Sequence, residues 1–451
     1  MFVGLHNHTD HSNYRLLDCI IKVEDLIAYT RELGHMGVAI TDHETVGNHV
    51  NALHKMKELK EKDPEKWKDY KLILGNEIYL CNRKQIEEEK NYTFPHFILI
   101  AKNLNGHHAL RELSTTACCE NSFMYVHMRT PTYYDDLVRV MKEYKGDVIA
   151  STACAGGSLP RNILKAYFAN NDCPDLTDAK LWINKMKQIF GDENFFLELQ
   201  PSIQEAQKII NKYLIQLSKE TNTPYIITTD SHYLLKEDRP IHAAFIASQE
   251  ADREVGDFYG TTYCMSEEEI HQYLDEFLGK DAVQKGIDNT MLVYNMSEEY
   301  TLDKPLDIPY IPDDNSEPDK ALYEKYKEKI PLFEDFYNSK YDSDRHLIRE
   351  ITKKFEQRPE EFQNQKTYDA VEVCLDSIKK ASDKQNTAWS GYMLQTGSIV
   401  NECWKAGSLI AASRGSGAGF ILLYLLDIIQ INCLREEVET FPWRSKASFL
   451  Q

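Results

Sequence analysis

The chain has 451 residues, of which 42% are hydrophobic, and a formal net charge of −19. This length predicts two or three domains, and no apolar run reaches the ~20 residues of a membrane helix. The acidic charge excludes a protein that coats nucleic acid by charge alone, but not a nucleic-acid enzyme with a local basic groove. With no signal-peptide pattern and ten scattered cysteines without a Cys-x-x-Cys pair, we expect a cytoplasmic protein with reduced thiols.

The first dozen residues contain His6-Asn-His8-Thr-Asp-His11. In an extended segment His6 and His8 project to the same side, where two imidazoles can hold one metal ion. An isolated His-x-His is equally compatible with a polar strand whose histidines are merely solvated. However, ten of the fifteen histidines lie in residues 1–110, so this part of the chain is enriched in the commonest metal ligand.

Further along, short apolar runs alternate with helical patterns. Residues 18–33 predict a helix that ends at Gly34, and a Lys/Glu-rich helix is predicted over 55–70. Potential ligands follow or precede the apolar runs in Thr41-Asp42-His43, Gly75-Asn-Glu77, Phe94-Pro-His96, Ser151-Thr-Ala-Cys154 and Thr229-Asp230-Ser-His232. This alternation predicts βα units, whose reactive groups collect at the carboxyl ends of the strands. His96 is the exception, because it stands at the start of its strand.

Each of these residues also has an ordinary explanation when it is considered alone. His43 could cap a helix, Glu77 could be a surface carboxylate, and Cys154 could be a small buried hydrophobic residue. Asp230 and His232 are a stronger indication, because they repeat the same-face arrangement of His6 and His8 at the end of an apolar strand. The recurrence of such residues at strand ends favours a shared site.

These motifs resemble those of the PHP (polymerase and histidinol phosphatase) domain, a distorted (β/α)7 barrel whose members bind up to three metal ions. The resemblance implies nine ligands: His6, His8, Asp18, His43, Glu77, His96, Cys154, Asp230 and His232. Asp18 matches least well, because its segment, Ser12 to Cys19, is longer than in the polymerase branch and lacks the glycine that follows the acid there, so Asp10 or His11 could replace it. The donor types favour Zn²⁺ or Mn²⁺, or Fe²⁺, over Mg²⁺, and the implied reaction is phosphoester hydrolysis.

After the predicted barrel, residues 236–300 have a helical pattern, and the proline-containing, charged stretch 302–344 predicts a linker. The expected organisation begins with a PHP domain over residues 1–275 and a mostly helical connector over 276–345. Near the end, residues 407–427 predict a strand, a glycine-rich turn and an apolar helix, an arrangement that can bind an anion. No Gly-Lys-Ser/Thr follows, so this is not the common P-loop.

The sequence Arg414-Gly-Ser-Gly-Ala-Gly419 resembles the triphosphate-binding motif in the palm of bacterial replicative DNA polymerase III alpha subunits, family C. This resemblance implies a partial nucleotidyltransferase-like palm over residues 346–451. Ser413 and Phe420 stand where that family usually has Gly and Ser. The resemblance implies that deoxynucleoside triphosphates contact Arg414, Gly415, Ser416 and Gly417. It also implies as partners a DNA primer-template, the remaining polymerase segment and other replisome subunits, with Mg²⁺ for the complete polymerase and no membrane.

Family-C polymerases carry catalytic aspartates in an Asp-x-Asp strand shortly after the glycine-rich motif. None of the residues after Gly419 forms Asp-x-Asp, so we expect an incomplete polymerase centre and no thumb or fingers in this chain. A split or interrupted gene and a truncated product both fit this pattern. Two alternative functions remain open: a stand-alone metal-dependent phosphoesterase or 3′–5′ exonuclease, and a non-catalytic part of the polymerase with structural metals.

Overall fold

The computed structural model describes residues 1–121, 129–170, 173–248, 257–304, 306–311, 320–413 and 415–434. The chain divides into two compact units, Met1–Asp303 (unit 1) and Lys304–Gln451 (unit 2). This division falls inside the predicted connector. The strands of unit 1 are β1 (Val3–Gly4), β2 (Gly37–Ile40), β3 (Lys71–Cys81), β4 (His96–Ala101), β5 (Thr132–Tyr133), β6 (Val148–Ser151), β7 (Phe195–Leu199) and β8 (Tyr225–Ile227).

The helices of unit 1 are α1 (Val23–Glu32), α2 (His49–Lys62), α3 (Pro64–Trp67), α4 (Arg83–Glu87), α5 (Leu104–Cys119), α6 (Tyr134–Glu143), α7 (Ser158–Ala169), α8 (Thr177–Phe190), α9 (Glu205–Thr221), α10 (Arg239–Ala247), α11 (Glu267–Leu278), α12 (Lys280–Asp288) and α13 (Thr290–Met296). Short 3₁₀ helices span Asp10–Tyr14, Asp192–Asn194, Lys236–Asp238 and Asp257–Thr261. Across the described ranges of the whole chain, no helix has the length and apolarity needed to cross a bilayer.

Two helix boundaries differ from the sequence prediction. The helix predicted from Asp18 begins only at Val23, because the Asn13 side-chain oxygen binds the backbone N–H groups of Asp18 and Cys19 and holds them in a loop. The helix predicted over 55–70 ends at Lys62, and a new one begins at Pro64 with Asp63 as its cap.

The sheet of unit 1 follows the order β1-β2-β3-β4-β6-β7-β8, and β5 pairs with β3 off this path. Neighbouring strands are parallel except around β4, which runs antiparallel to both β3 and β6. The segments that follow β8 and β1 meet in a parallel bridge between Ser231 and Asn7, with Ser231 O accepting from His8 N at 3.0 Å. The predicted α/β class, with seven strands in a distorted barrel followed by helices, is confirmed.

Both faces of this sheet are covered, which explains why its strands are continuous apolar runs. Side chains alternate in β4: Ile98 and Ile100 belong to an inner cluster, whereas Phe97 and Leu99 pack outward with residues of the surrounding helices. The inner cluster fills one end of the enclosed space, so the polar residues that follow the strands collect at the other.

Unit 2 contains α14 (Lys320–Tyr326), α15 (Phe333–Tyr337), α16 (Asp342–Gln357), α17 (Gln365–Gln385), α18 (Ser390–Lys405) and α19 (Ile421–Leu425), with 3₁₀ helices at Glu360–Phe362 and Gly415–Gly419. Helices α14 and α15 lie within the stretch predicted as a linker, and their Tyr326 and Phe333 are buried in the core of unit 2. The strand predicted before the glycine-rich turn is wrong: residues 408–413 have no regular structure. A strand needs a neighbour to bond with, and the described part of unit 2 has no strand.

Part of the histidine enrichment is structural. His35 is buried and donates from Nε2 to Met265 O at 3.0 Å. His49 donates from Nε2 to Gly75 O at 2.9 Å, and its Nδ1 lies 3.0 Å from His107 Nε2, which links α2 to α5. Burial lowers the pKa of His35 to about 4 and that of His49 to about 3, so these imidazoles stay neutral in the fold.

These neutral histidines predict acid sensitivity. Because the pKa of His35 is near 6.5 in the unfolded chain and about 4 in the fold, its contribution to stability is complete above pH 6.5. It is lost as the pH falls towards 4, by at most about 3 kcal/mol. We expect His35→Gln to flatten the decline of unfolding free energy between pH 6.5 and 4 in chemical denaturation. The exposed His54→Gln is the control, and an unchanged slope in His35→Gln would contradict the assignment.

Candidate metal centre

The nine sequence-predicted ligands meet at one edge of the unit 1 sheet. His6 and His8 follow β1, His43 follows β2, Glu77 lies within β3, Cys154 follows β6, and Asp230 and His232 follow β8. His96 joins them because β4 is antiparallel to its neighbours, so the start of β4 lies at the edge where the parallel strands end.

His6 and His8 point towards each other and towards one carboxylate. Their Nε2 atoms are 3.2 Å apart, and they lie 3.1 Å and 3.2 Å from Asp230 Oδ1. The predicted same-side arrangement of the two imidazoles is present, and the second strand-end pair contributes the carboxylate between them.

Glu77 is the most enclosed carboxylate of the cluster. Its Oε2 lies 2.7 Å from His43 Nδ1 and 3.3 Å from His8 Nε2, and its Oε1 lies 2.8 Å from His96 Nδ1. Despite these short distances, neither Glu77 oxygen makes a well-aligned hydrogen bond to any described residue. Cys154 Sγ is 3.5 Å from His96 Nδ1, on the same side of the cluster.

Asp18 lies with the cluster, whereas Asp10 and His11 do not. Asp18 Oδ2 is 3.5 Å from His43 Nε2 and 3.4 Å from His232 Nε2, in a fully buried position. Asp10 instead pairs with Lys22 at 2.5 Å and lies 3.4 Å from His11 Nδ1. The structure therefore brings Asp18, rather than either alternative, next to the histidines.

The backbone around the cluster is held in an uncommon conformation at three points. Glu44 after His43, Ala153 before Cys154 and Asp230 itself have φ of +49°, +57° and +48°. Residues with side chains seldom adopt this left-handed region, and such strain concentrates at functional sites.

Hydrogen bonds behind the histidines fix which nitrogen faces the cluster. Ser12 Oγ donates to Asp42 Oδ1 at 2.8 Å and therefore accepts from His8 Nδ1 at 2.9 Å. His232 Nδ1 donates to the Asp230 carbonyl at 2.7 Å. Since Nδ1 is the donor in both of these hydrogen bonds, Nε2 of each ring faces the cluster and is the nitrogen that can bind a metal ion.

Glu198 fixes His6 in the same way and is not among the residues predicted from the sequence. Its Oε1 accepts from His6 Nδ1 at 2.6 Å and from Thr228 Oγ1 at 2.6 Å, and its Oε2 accepts from Ser151 Oγ at 2.7 Å. The available signal was a single acidic residue in the apolar strand Phe195–Leu199, because a charge in a strand buried on both faces needs dedicated partners.

Burial and charge act in opposite directions on these groups. Burial alone lowers the pKa of His6, but Asp230, Glu198 and Glu77 together raise it well above its ordinary value. Burial opposes the charge of Glu77, yet the surrounding histidines, foremost His96, hold the pKa of that carboxyl well below its usual range. Protons on the imidazoles and bound metal ions compensate the same carboxylate charge, so metal binding releases protons.

The donor set fits a metal centre with more than one ion. The buried oxygens Glu77 Oε1 and Oε2, Asp18 Oδ1 and Asp230 Oδ1 have no hydrogen-bond partner among the described residues, and buried charged oxygens require a cation. Three triads have donor atoms within 4.8 Å of one another: His8, His43 and His232; His6, His8 and Glu77; and His43, Glu77 and His96. His8, His43 and Glu77 each belong to two triads, an arrangement that suits ions sharing ligands.

The residues predicted to bind nucleotide lie in unit 2. Gly415 and Gly417 belong to the 3₁₀ helix Gly415–Gly419, and Gly415 has φ +64°, a conformation that favours glycine. Ser416 lies in the same turn, whereas Arg414 is outside the described residues. Nucleotide binding at this turn stays a prediction.

Comparison with known families agrees with this geometry. Residues 5–202 match the PHP domain family, and the metal triads together with this match indicate that unit 1 binds metal. Residues 345–442 match the bacterial DNA polymerase III alpha NTPase domain. The chain therefore matches, in order, the PHP domain and then the NTPase domain of bacterial DNA polymerase III alpha.

Curated relatives match nearly the whole chain. It is 35% identical over 98% of its length to a probable DNA polymerase, YorL, of Bacillus subtilis. It is 28% identical over 96% of its length to the DNA polymerase III subunit alpha of Aquifex aeolicus. It spans only 35% and 34% of these relatives. A solved structure provisionally named a metal-dependent phosphoesterase, from Bifidobacterium adolescentis, aligns with 51% of this chain and 87% of its own, with 14% identity and a TM-score of 0.31.

The hydrogen bond from His6 to Glu198 leads to a test of ligand positioning. We expect Glu198→Gln to weaken metal binding about 10- to 100-fold, because the ring loses the charged acceptor that orients it. Isothermal titration of the metal-free chain with Zn²⁺ or Mn²⁺ measures this change. Glu193→Gln, an exposed carboxylate just before the same strand, is the control; equal weakening in both variants would contradict a specific role.

Proposed function

We propose that the chain is the PHP and NTPase portion of a replicative DNA polymerase III alpha subunit, and that unit 1 hydrolyses phosphoesters with bound metal ions. The two domain matches and the similarity to curated polymerases support the polymerase part of this proposal. The convergence of His6, His8 and His232, each with Nε2 turned to buried carboxylates, carries the hydrolytic part. Histidines that only fill the protein core need not all turn Nε2 towards buried carboxylates.

Zn²⁺, Mn²⁺ or Fe²⁺ suits the donor set better than Mg²⁺, because imidazoles outnumber carboxylates and Cys154 offers a thiolate. When bound, such ions lower the pKa of a coordinated water and neutralise charge on a phosphate. The chain's residues hold the ions: Glu77 and Asp230 supply charge, and Glu198 and Ser12 orient the rings of His6 and His8.

No protein nucleophile is needed in this proposal. Cys154 is the obvious candidate, but burial, and secondarily the charges of Asp230 and Glu77, raise the pKa of its thiol well above the ordinary value. A thiol held in this way is not an activated nucleophile. A metal ion beside His96 would instead draw Cys154 into coordination as a thiolate.

For the complete polymerase, we propose a DNA primer-template and deoxynucleoside triphosphates as substrates, Mg²⁺ as cofactor, and the remaining polymerase segment and other replisome subunits as partners. The turn with Gly415, Ser416 and Gly417, together with Arg414, is the proposed triphosphate contact. The proposed functional segments are the PHP domain over 1–275, the connector over 276–345 and the partial palm over 346–451.

A primer gel tests the hydrolytic proposal. With a 5′-labelled primer on a template and Mn²⁺, Zn²⁺ or Mg²⁺ in separate reactions, we expect metal-dependent shortening of the primer. His8→Ala and Asp230→Ala should abolish it, because each removes a donor from the centre of the cluster. His11→Ala, a half-buried histidine that faces Asp10, should retain it. Full activity in either of the first two variants would refute the assignment, and an unchanged primer with metal bound would favour structural ions.

Cobalt substitution tests the role of Cys154. We expect the Co²⁺-loaded chain to absorb in the near ultraviolet through thiolate-to-cobalt charge transfer, and Cys154→Ser to lose this band. Cys264→Ser, another fully buried cysteine, is the matched control. Retention of the band in Cys154→Ser would exclude this thiol as a ligand.

A further inference from the structure

Asp18 reaches the metal centre in a different way from the other proposed ligands. It lies in a loop without regular structure between the 3₁₀ helix Asp10–Tyr14 and α1. Asn13 holds this loop: its Oδ1 accepts from Asp18 N at 3.1 Å and Cys19 N at 3.0 Å, and its Nδ2 donates to Cys19 O at 2.7 Å. The placement of the Asp18 carboxylate therefore depends on side-chain contacts rather than on a strand.

Two further side-chain contacts to Asp18 come from residues outside the region that matches the PHP family. His242 on α10 is fully buried and donates from Nε2 to the Asp18 carbonyl at 2.6 Å. Tyr259, in the 3₁₀ helix Asp257–Thr261, donates its hydroxyl to Asp18 Oδ2 at 3.3 Å. The Tyr259 backbone is fixed in turn, because its carbonyl accepts from Tyr233 Oη at 2.6 Å.

Tyr259 also contacts His232, the proposed ligand next to Asp18. Its ring packs edge-on against His232, with centroids 5.4 Å apart, and lies 5.0 Å from the ring of His242. The hydroxyl therefore restrains one carboxylate oxygen of Asp18 while the ring restrains the imidazole beside it. Asp18 Oδ1 is left buried without a hydrogen-bond partner in the described parts of the chain, and so it is available to a cation.

We propose that Tyr259 and His242 are positioning residues for Asp18, and that they complete the metal position formed by Asp18, His43 and His232. This inference rests on the proposed metal centre. Residues beyond the matched PHP region then determine how many ions the centre holds. The metal position around Glu77, His6 and His96 does not involve Tyr259 or His242. It keeps its ions when the Tyr259 hydroxyl is removed.

Native mass spectrometry and calorimetric titration of the full chain with Mn²⁺ or Zn²⁺ test the proposal. We expect Tyr259→Phe to lose one ion, or to bind that ion at least about tenfold more weakly, while the melting temperature of the metal-free chain is unchanged. Tyr263→Phe is the matched control, because that hydroxyl bonds to Glu269 instead, at 3.0 Å. Asp18→Asn should lose the same ion, and the double variant should lose nothing further.

His242 gives a second, independent comparison. His242→Gln retains a side-chain N–H for the Asp18 carbonyl and should bind near wild-type levels of metal, whereas His242→Ala should resemble Tyr259→Phe. Unchanged ion number and affinity in Tyr259→Phe would overturn the positioning role. If wild type binds no metal, or His8→Ala binds it unchanged, the metal centre itself is refuted. If His8→Ala loses metal and Tyr259→Phe does not, only the present inference fails.

Discussion

The Glu77 carboxylate sits at the edge of the unit 1 sheet where the proposed ligands meet, fully buried and without an aligned hydrogen bond from any residue in the described ranges. A charge in such a place is costly unless a cation compensates it. The ends of the other strands supply imidazoles around it, with nitrogens of His43 and His96 at 2.7 Å and 2.8 Å. Metal ions can replace the protons of those imidazoles, so the burial of this carboxylate determines both the local electrostatics and the proposed chemistry.

Much of this site could be predicted from short stretches of sequence, because most of the proposed ligands lie in short motifs at the ends of apolar runs. Parallel strands bring their carboxyl ends to one edge, so a ligand after each apolar run was enough to group them. His96 precedes its strand in the sequence, yet it lies at the same edge as the other proposed ligands, because β4 runs antiparallel to its neighbours. Glu198 was not predicted, since its partner His6 lies 192 residues away and only the curled sheet of the folded chain brings the two together. The same holds for Tyr259, 241 residues from Asp18.

In unit 2 the same kind of pattern predicted a strand that does not form. An apolar run before a glycine-rich turn has a strand-like composition, but Leu409 within that run is 96% exposed and no strand in the described residues of unit 2 pairs with it. Strand formation depends on a partner that sequence composition does not specify. Helix α17 has no such requirement, because its buried apolar stripe of Val371, Leu375 and Ile378 depends only on the helical repeat.

The most direct test of the central claim is to count metal ions in the purified chain by native mass spectrometry, after loading with Zn²⁺ or Mn²⁺ and removing excess metal. The account predicts more than one ion per wild-type chain. It predicts fewer ions in Glu77→Gln, which keeps the shape of the side chain but removes the buried charge shared by two triads. Full metal content in Glu77→Gln, or a wild-type chain that holds no ion, would contradict it.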